Sequence, residues 1–422
     1  MKTFLAVVLG AVMLAGCAQP KKDNNTITVW HWMADRHKTF EVLAVRYEQQ
    51  TGIKVLFDLY EPSTYSKKII ASAQAKVLPD IYGILDKKDI FASFINSGFV
   101  ADLTAEYEAY NSEWKNQLFV KALETASFMP GNVQNVKPGH YGVPIDVTNI
   151  QMVYNKNILQ QAGVTQLPQT FEQFLESARK ISAAGIPVFV TGWGEVWMID
   201  CFASDYAFNI MGEEKIMDTY QGKISYTDPD WIKVFEVFEQ LFKNKVLIDG
   251  IVTKSNKQAE QDFALERAAF AFNGSWCVNV YHDMNPKLKY GTMLPPAVNP
   301  DLPMRIWGGA GSVFVVNNHS RIKDKAIAFL KWLTQSEQQV YLSKETRNLP
   351  SNTEALKDIP DILAGFAGAM ESITHPAIWE HNENALVSEA FNRGIQSIII
   401  GEKTPLQAAE EVQQVKQRVM KK

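Results

Sequence analysis

The densest chemical cluster in the chain is Gly192-Trp-Gly-Glu-Val-Trp197, followed by Asp200. Two tryptophans flank a carboxylate on backbone freed by two glycines, which puts stacking surface and hydrogen-bonding oxygen in one place. Trp276 ends Asn273-Gly-Ser-Trp276, and Trp307 precedes Gly308-Gly309, where missing side chains allow backbone or ligand to approach closely. Trp30 and Trp32 close a strand-like run. Alternation puts both on one face and His31 on the other. Trp32, farther toward the carboxyl end, is expected to reach a ligand, and Trp30 to pack in the core. Asp146 is a lone carboxylate in the apolar run Gly142–Asn155 and needs either a ligand hydroxyl pair or a local amide as partner. Thr148 and Asn149 are its polar neighbours. Flat aromatic platforms beside carboxylates and amides suit a molecule with apolar C–H faces and a hydroxyl rim, which is the chemistry of a sugar. Asp80 reads instead as a capping or loop-bracing carboxylate.

Other chemistries find less support. The seven histidines are scattered and make no H-E-x-x-H or paired Cys/His spacing, so neither a metal site nor a cofactor is expected. Gly309-Ala-Gly-Ser312 has its serine in the wrong register for a nucleophile elbow. Gly308–Gly311 lacks the Lys-Ser/Thr of a phosphate loop and reads as a turn. An exported glycoside-active enzyme would need two carboxylates, such as Asp146 and Glu195, roughly 5–9 Å apart. An adhesion or scaffold protein with an empty cleft is a third class. A formal charge of −4 argues against a nucleic-acid partner.

The elements that must position these residues follow a regular grammar. Thr26–Trp32, Ile53–Asp58 and Pro79–Ile84 read as strands, alternating with helices over Lys38–Thr51, Tyr65–Ala75 and Asp89–Ser97. That is the βαβαβα pattern of a parallel sheet flanked by helices. Val143–Asn155 is an extended run that passes from one helical context into another, as a chain crossing between two lobes does. Beyond it come helices over Thr170–Ala184, Trp197–Asn209, Asp230–Asn244 and Asn256–Glu266, and strands at Ile186–Thr191, Ala268–Asn273 and Ser312–Val316. A helix over Lys323–Thr334 follows, and from Pro350 onward the chain reads as nearly all helical. Cys277 falls in a strand-like run, and Cys201 and Cys277 are expected to be buried thiols.

The N-terminus carries a separate signal. Lys2 precedes an apolar stretch, Phe4–Leu14, too short to span a bilayer. It ends in Leu14-Ala-Gly-Cys17, which resembles the lipobox of bacterial lipoproteins and implies lipidation at Cys17. The expected layout is a signal peptide over 1–16 and a polar tether over 17–25, holding an exported chain to the cell membrane on its extracytoplasmic side.

Across the mature chain the motifs, in order, resemble the family 1 extracellular solute-binding proteins, receptors of ABC sugar importers that include maltose-binding protein. They are Thr51-Gly-Ile-Lys-Val55, Leu78-Pro-Asp-Ile81, Val153-Tyr-Asn-Lys156, Leu167–Phe174, Phe272-Asn-Gly-Ser-Trp276, Leu294-Pro295 and Gly308–Gly311. The resemblance implies an α/β periplasmic-binding-protein fold of two lobes, each a mostly parallel sheet with flanking helices. One lobe would comprise 26–145 plus about 297–345, and the other 146–296 plus about 346–422. It implies a monomer without catalysis that binds a sugar or oligosaccharide between the lobes and delivers it to permease subunits; a non-sugar solute such as a polyol is the alternative ligand. It matches Trp276 position for position, places Tyr65 where a residue often lines the cleft, and puts Trp193 and Trp197 in the aromatic turn of the second lobe. Arg347 and Trp379 join the cleft rim. With Trp32, Asp146, Asn149, Glu195 and Trp307 these complete the candidate ligand-binding set.

Overall fold

The computed structural model describes residues 24–84, 88–132, 134–374 and 383–421. The strands are β1 (Thr26–His31), β2 (Lys54–Leu59), β3 (Ile81–Ile84), β4 (Ser127–Phe128), β5 (Gly139–His140) and β6 (Val143–Asn155). After them come β7 (Phe189–Val190), β8 (Phe270–Gly274), β9 (Tyr290–Met293), β10 (Gly308–Val316) and β11 (Leu349–Pro350). The main sheet runs β2-β1-β3-β10-β6-β8-β7, with β9 and β11 also paired to β6. β1 pairs parallel with β2 and β3, and β7 with β8, whereas β10 and β6 run antiparallel to their neighbours. Helices cover both faces, as the βαβαβα pattern requires.

The crossing run is one long strand that changes partners halfway. Residues Val143–Asn149 of β6 face β10 and β11, while Ile150–Asn155 face β8 and β9. Alternation then sorts side chains into separate cores. On the β1 side, Phe314 and Val316 pack with Ile27, Val29 and Phe40, and Val313 and Val315 pack with Tyr65, Tyr82 and Phe91 on the opposite face. On the β8 side, Phe270 and Phe272 join Ile150, Met152, Trp193 and Phe202, while Ala271 faces Val153, Phe263 and Tyr281. Local signals fix the helix ends: Gly52 closes His37–Thr51 in the left-handed region, and Thr170 with Gln173 forms a reciprocal cap on Phe171–Ala183.

Several readings of the sequence are corrected. Gly308–Gly311 is no turn but the first half of β10, because the edge of β6 supplies its hydrogen-bond partners. Cys277 starts a helix, Cys277–Met284, capped by Trp276. The expected strand over 186–191 is ordered as strand only at Phe189–Val190. Past Pro350 the described chain makes short 3-10 turns and one short α-helix, Ala364–Gly368, before the helices Ala385–Ile399 and Pro405–Met420. Cys201 and Cys277 are both buried, as expected.

Candidate functional site

Trp32, picked out at a strand end, and Trp197, Trp276 and Trp307, picked out beside glycines, converge on one cavity. It has a volume of about 700 Å³ and is lined by Trp32, Trp197, Trp276 and Trp307, with Arg36, Lys88, Asp146, Thr148, Ser312 and Asn348 among its polar residues. Trp32 lies just past the carboxyl end of β1, at the sheet edge where open α/β sheets take ligands. Its ring abuts Gly83, where a Cβ would overlap it. Trp276 packs in the same way over Gly274. Both glycines serve as seats for an indole.

The remaining aromatic orientation comes from carboxylates behind the walls. Glu260 accepts hydrogen bonds from the Trp276 indole Nε1 (3.0 Å), Asn256 Nδ2 (2.9 Å) and Asn273 Nδ2 (3.2 Å). Glu195 accepts from the Trp197 indole Nε1 (2.8 Å) and from the backbone N–H of Asn256 (2.8 Å). Asn256 thus links two carboxylates, each holding one indole, and the two rings sit 5.9 Å apart at 54°. Burial lifts the Glu260 carboxyl above its ordinary value, against the pull of its three N–H donors. Trp307 is tied through its backbone N–H to Asp205 (3.0 Å), while its indole Nε1 has no partner among the described residues.

The cavity floor is an ionic cluster. Arg36 Nη1 lies 3.0 Å from Asp146 Oδ2 and donates to Ser312 Oγ at 3.0 Å; Nη2 donates to Asn348 Oδ1 at 3.0 Å, and Nε to Asp35 Oδ2 at 3.1 Å. Burial works against the Arg36 charge, yet Asp146 and Asp35 hold the guanidinium above its ordinary value. Burial likewise pushes the Asp146 carboxyl up, opposed by Arg36 and Ser312. The arginine keeps its proton and its carboxylate partner, since separating them would leave one buried charge alone. Asp146 Oδ2 is bound, but Oδ1 is buried without a partner. β10 makes room for this carboxylate by a bulge at Gly311, where a Cβ would collide with it. On the far wall Lys88 Nζ donates to the carbonyls of Glu124 (3.4 Å), Thr125 (2.8 Å) and Ser127 (2.7 Å), and burial lowers its pKa to about 8.

Of the candidates, Trp32, Asp146, Trp197, Trp276 and Trp307 line the cavity. The others are placed elsewhere, each for a visible reason. Tyr65 is fully buried with its ring 5.2 Å from Trp32 and its hydroxyl spent on the backbone of Trp30 and Gly83. Asn149 points its amide at the carbonyl of Phe366 (2.9 Å). Trp193 is fully buried among Phe189, Phe202 and Phe238, because the core of that half draws it in. Glu195 acts behind Trp197. Arg347 caps a helix in the left-handed region and bonds Asn279 (3.2 Å); its neighbour Asn348 lines the cavity instead. Trp379 and Cys17 lie outside the described residues. Trp30 bonds Asp58 (3.0 Å), and Asp80 braces Thr28 (2.9 Å) and Ser320 (2.7 Å). Lys88, Glu260, Ser312 and Asn348 carried no local signal.

A model of the bacterial extracellular solute-binding protein family matches residues 32–340. The melibiose/raffinose/stachyose-binding protein of Bacillus subtilis is 20% identical over 414 residues, covering 92% of this chain and 86% of its own. Among solved structures, a chitin oligosaccharide binding protein matches with TM-score 0.75 and 20% identity over 93% of this chain and 98% of that one. The cyclic alpha-maltosyl-1,6-maltose binding protein of Arthrobacter globiformis matches with TM-score 0.74 and 19% identity over 94% and 99% of the two chains.

Proposed function

The chain belongs to the bacterial extracellular solute-binding protein family, and from that premise we propose that it captures a sugar or short oligosaccharide between Trp32, Trp197, Trp276 and Trp307. The observation that carries this reading is their convergence on one cavity of about 700 Å³ over the Asp146 carboxylate. Indoles offer stacking area to the apolar faces of a sugar ring, and the floor offers hydrogen bonds to its hydroxyls. The carbohydrate-binding relatives support the ligand class. Delivery to an ABC permease, without turnover of the sugar, completes the role.

The parts the residues reach differ along the chain. Trp32, Arg36 and Lys88 belong with β1 and β3, and Trp197 and Trp276 with β8. The reading assigns these to two lobes that join where β6 changes partners, between Asn149 and Ile150. Cys17 is assigned the lipid anchor; replacing it with alanine should free the chain from membranes, and unchanged membrane retention would refute the anchor.

A thermal-shift screen of the chain from residue 24 onward, against mono- and oligosaccharides, tests the main reading. A rise in melting temperature with one sugar group, and no product by chromatography, is the expected result. No shift with any carbohydrate would overturn sugar capture, and release of a cleaved glycoside would overturn the non-catalytic role.

A further inference from the structure

We infer that the cavity selects non-acidic saccharides and rejects those carrying a carboxylate or phosphate on the ring seated over Asp146; this rests on the sugar reading above. The inference comes from which polar atoms of the cavity are already spent. The two cations among its described residues are both engaged. All three nitrogens of Arg36 have acceptors in Asp35, Asp146, Ser312 and Asn348, and the Lys88 ammonium points its donors at three backbone carbonyls. Neither side chain is more than 8% exposed. Among the described residues an incoming anion therefore finds no unspent cation in the cavity, while Asp35 and Asp146 stand beside the same guanidinium as like charges against it.

The unspent atoms are of another kind. Asp146 Oδ1 is a buried acceptor without a donor, and Trp307 Nε1 a buried donor without an acceptor. Both residues line the cavity. Thr148 adds a hydroxyl that shares one bond with Ser275 at 3.0 Å. A sugar hydroxyl both donates and accepts, so the hydroxyls of a bound sugar can supply a donor to Asp146 and an acceptor to Trp307. A carboxylate can only accept; over Asp146 Oδ1 it would leave that oxygen unpaired and add repulsion.

Calorimetric titration of the same chain with matched probes decides this: neutral gluco-, galacto- and xylo-oligosaccharides against oligogalacturonates, glucuronic-acid disaccharides and hexose phosphates. The expected result is binding of a neutral series, with its acidic counterpart weaker by at least about tenfold. Equal or tighter binding of an acidic saccharide overturns the inference and leaves the receptor reading standing. Failure of every saccharide, neutral and acidic, overturns the receptor reading itself. Trp307→Phe keeps the ring and removes the donor, and a fall in neutral-sugar affinity of roughly two- to tenfold is expected. Affinity equal to wild type would show that the indole N–H meets no hydroxyl, overturning the pairing on which the selection depends. Wild-type melting without ligand establishes that the variant is folded.

Discussion

Trp276 is oriented from behind, and that makes its role separable from its bulk. Its indole N–H is fixed by Glu260, which also gathers Asn256 and Asn273. Glu260→Leu would take the shared acceptor from three donors, at a cost of about 1–3 kcal/mol for the buried Asn256 amide alone, so a lower denaturation midpoint is expected. It should also weaken sugar binding, although Glu260 does not line the cavity, because the ring it steers is then free to tilt. Trp276→Ala removes the platform itself, and a loss of about 2 kcal/mol or more in affinity is expected, as for a central aromatic anchor. Trp30→Ala, away from the cavity, is the control and should bind as wild type. Calorimetry giving equal small losses for Trp276→Ala and Trp30→Ala would refute the platform role. The platforms were legible in the sequence because glycine neighbours, a strand end and aromatic type are local signals. The floor was not: Arg36 finds Ser312 and Asn348 276 and 312 positions away, and no spacing rule joins such residues.

Where β1 meets the helix His37–Thr51, the first half of the site is set by a pair of histidines. His31 is fully buried; its Nδ1 accepts from the backbone N–H of Met33 (3.2 Å), which assigns its proton to Nε2 and makes it the donor to His37 Nδ1 at 3.1 Å. Burial above all, with help from His37 and Arg36 and against Asp35, lowers the His31 pKa to about 3. The unfolded chain takes up that proton near pH 6.5, so between pH 6.5 and 3 the unfolded state binds more protons than the fold. Stability from neutral His31 is therefore complete above pH 6.5 and lost on acidification, by about 1.4 kcal/mol per pH unit. Urea midpoints from pH 7 to pH 4 should fall more steeply for wild type than for His31→Phe, whose ring still meets Phe40 and Phe57. Parallel slopes would sink the assignment. Elements such as β1 and the helix after it were legible because each carries its own period. The Gly308–Gly311 segment was not, since glycine favours turns locally and only pairing with β6 makes it a strand.

At the scale of the molecule, the walls of the cavity come from segments that share little of their packing. Trp32 packs with the cores around β1, while Trp276 and Trp307 pack with those around β8. The chain between these cores runs through β6, the stretch from β9 to β10 and the stretch near Asn348, so few covalent paths hold the walls at a fixed distance. The first parallel sheet could be read from the sequence; the order of β10, β6 and β8 could not, because antiparallel pairing across more than a hundred residues leaves no periodic trace. That order decides the mechanics. A ligand touching both walls favours whichever arrangement brings them together, by its difference in affinity for the two arrangements. At a hundred times its dissociation constant, a sugar bound only by the native fold adds about 2.7 kcal/mol of stability. Stabilisation alone does not distinguish a ligand held by both walls from one held by a single wall, but shape does. Small-angle scattering at saturating sugar should show a smaller radius of gyration for wild type. Trp276→Ala, saturated at higher concentration, should contract less because one wall has lost its grip. A bound wild-type protein whose radius of gyration stays constant would mean that the ligand engages one wall only, and that the site does not close on it.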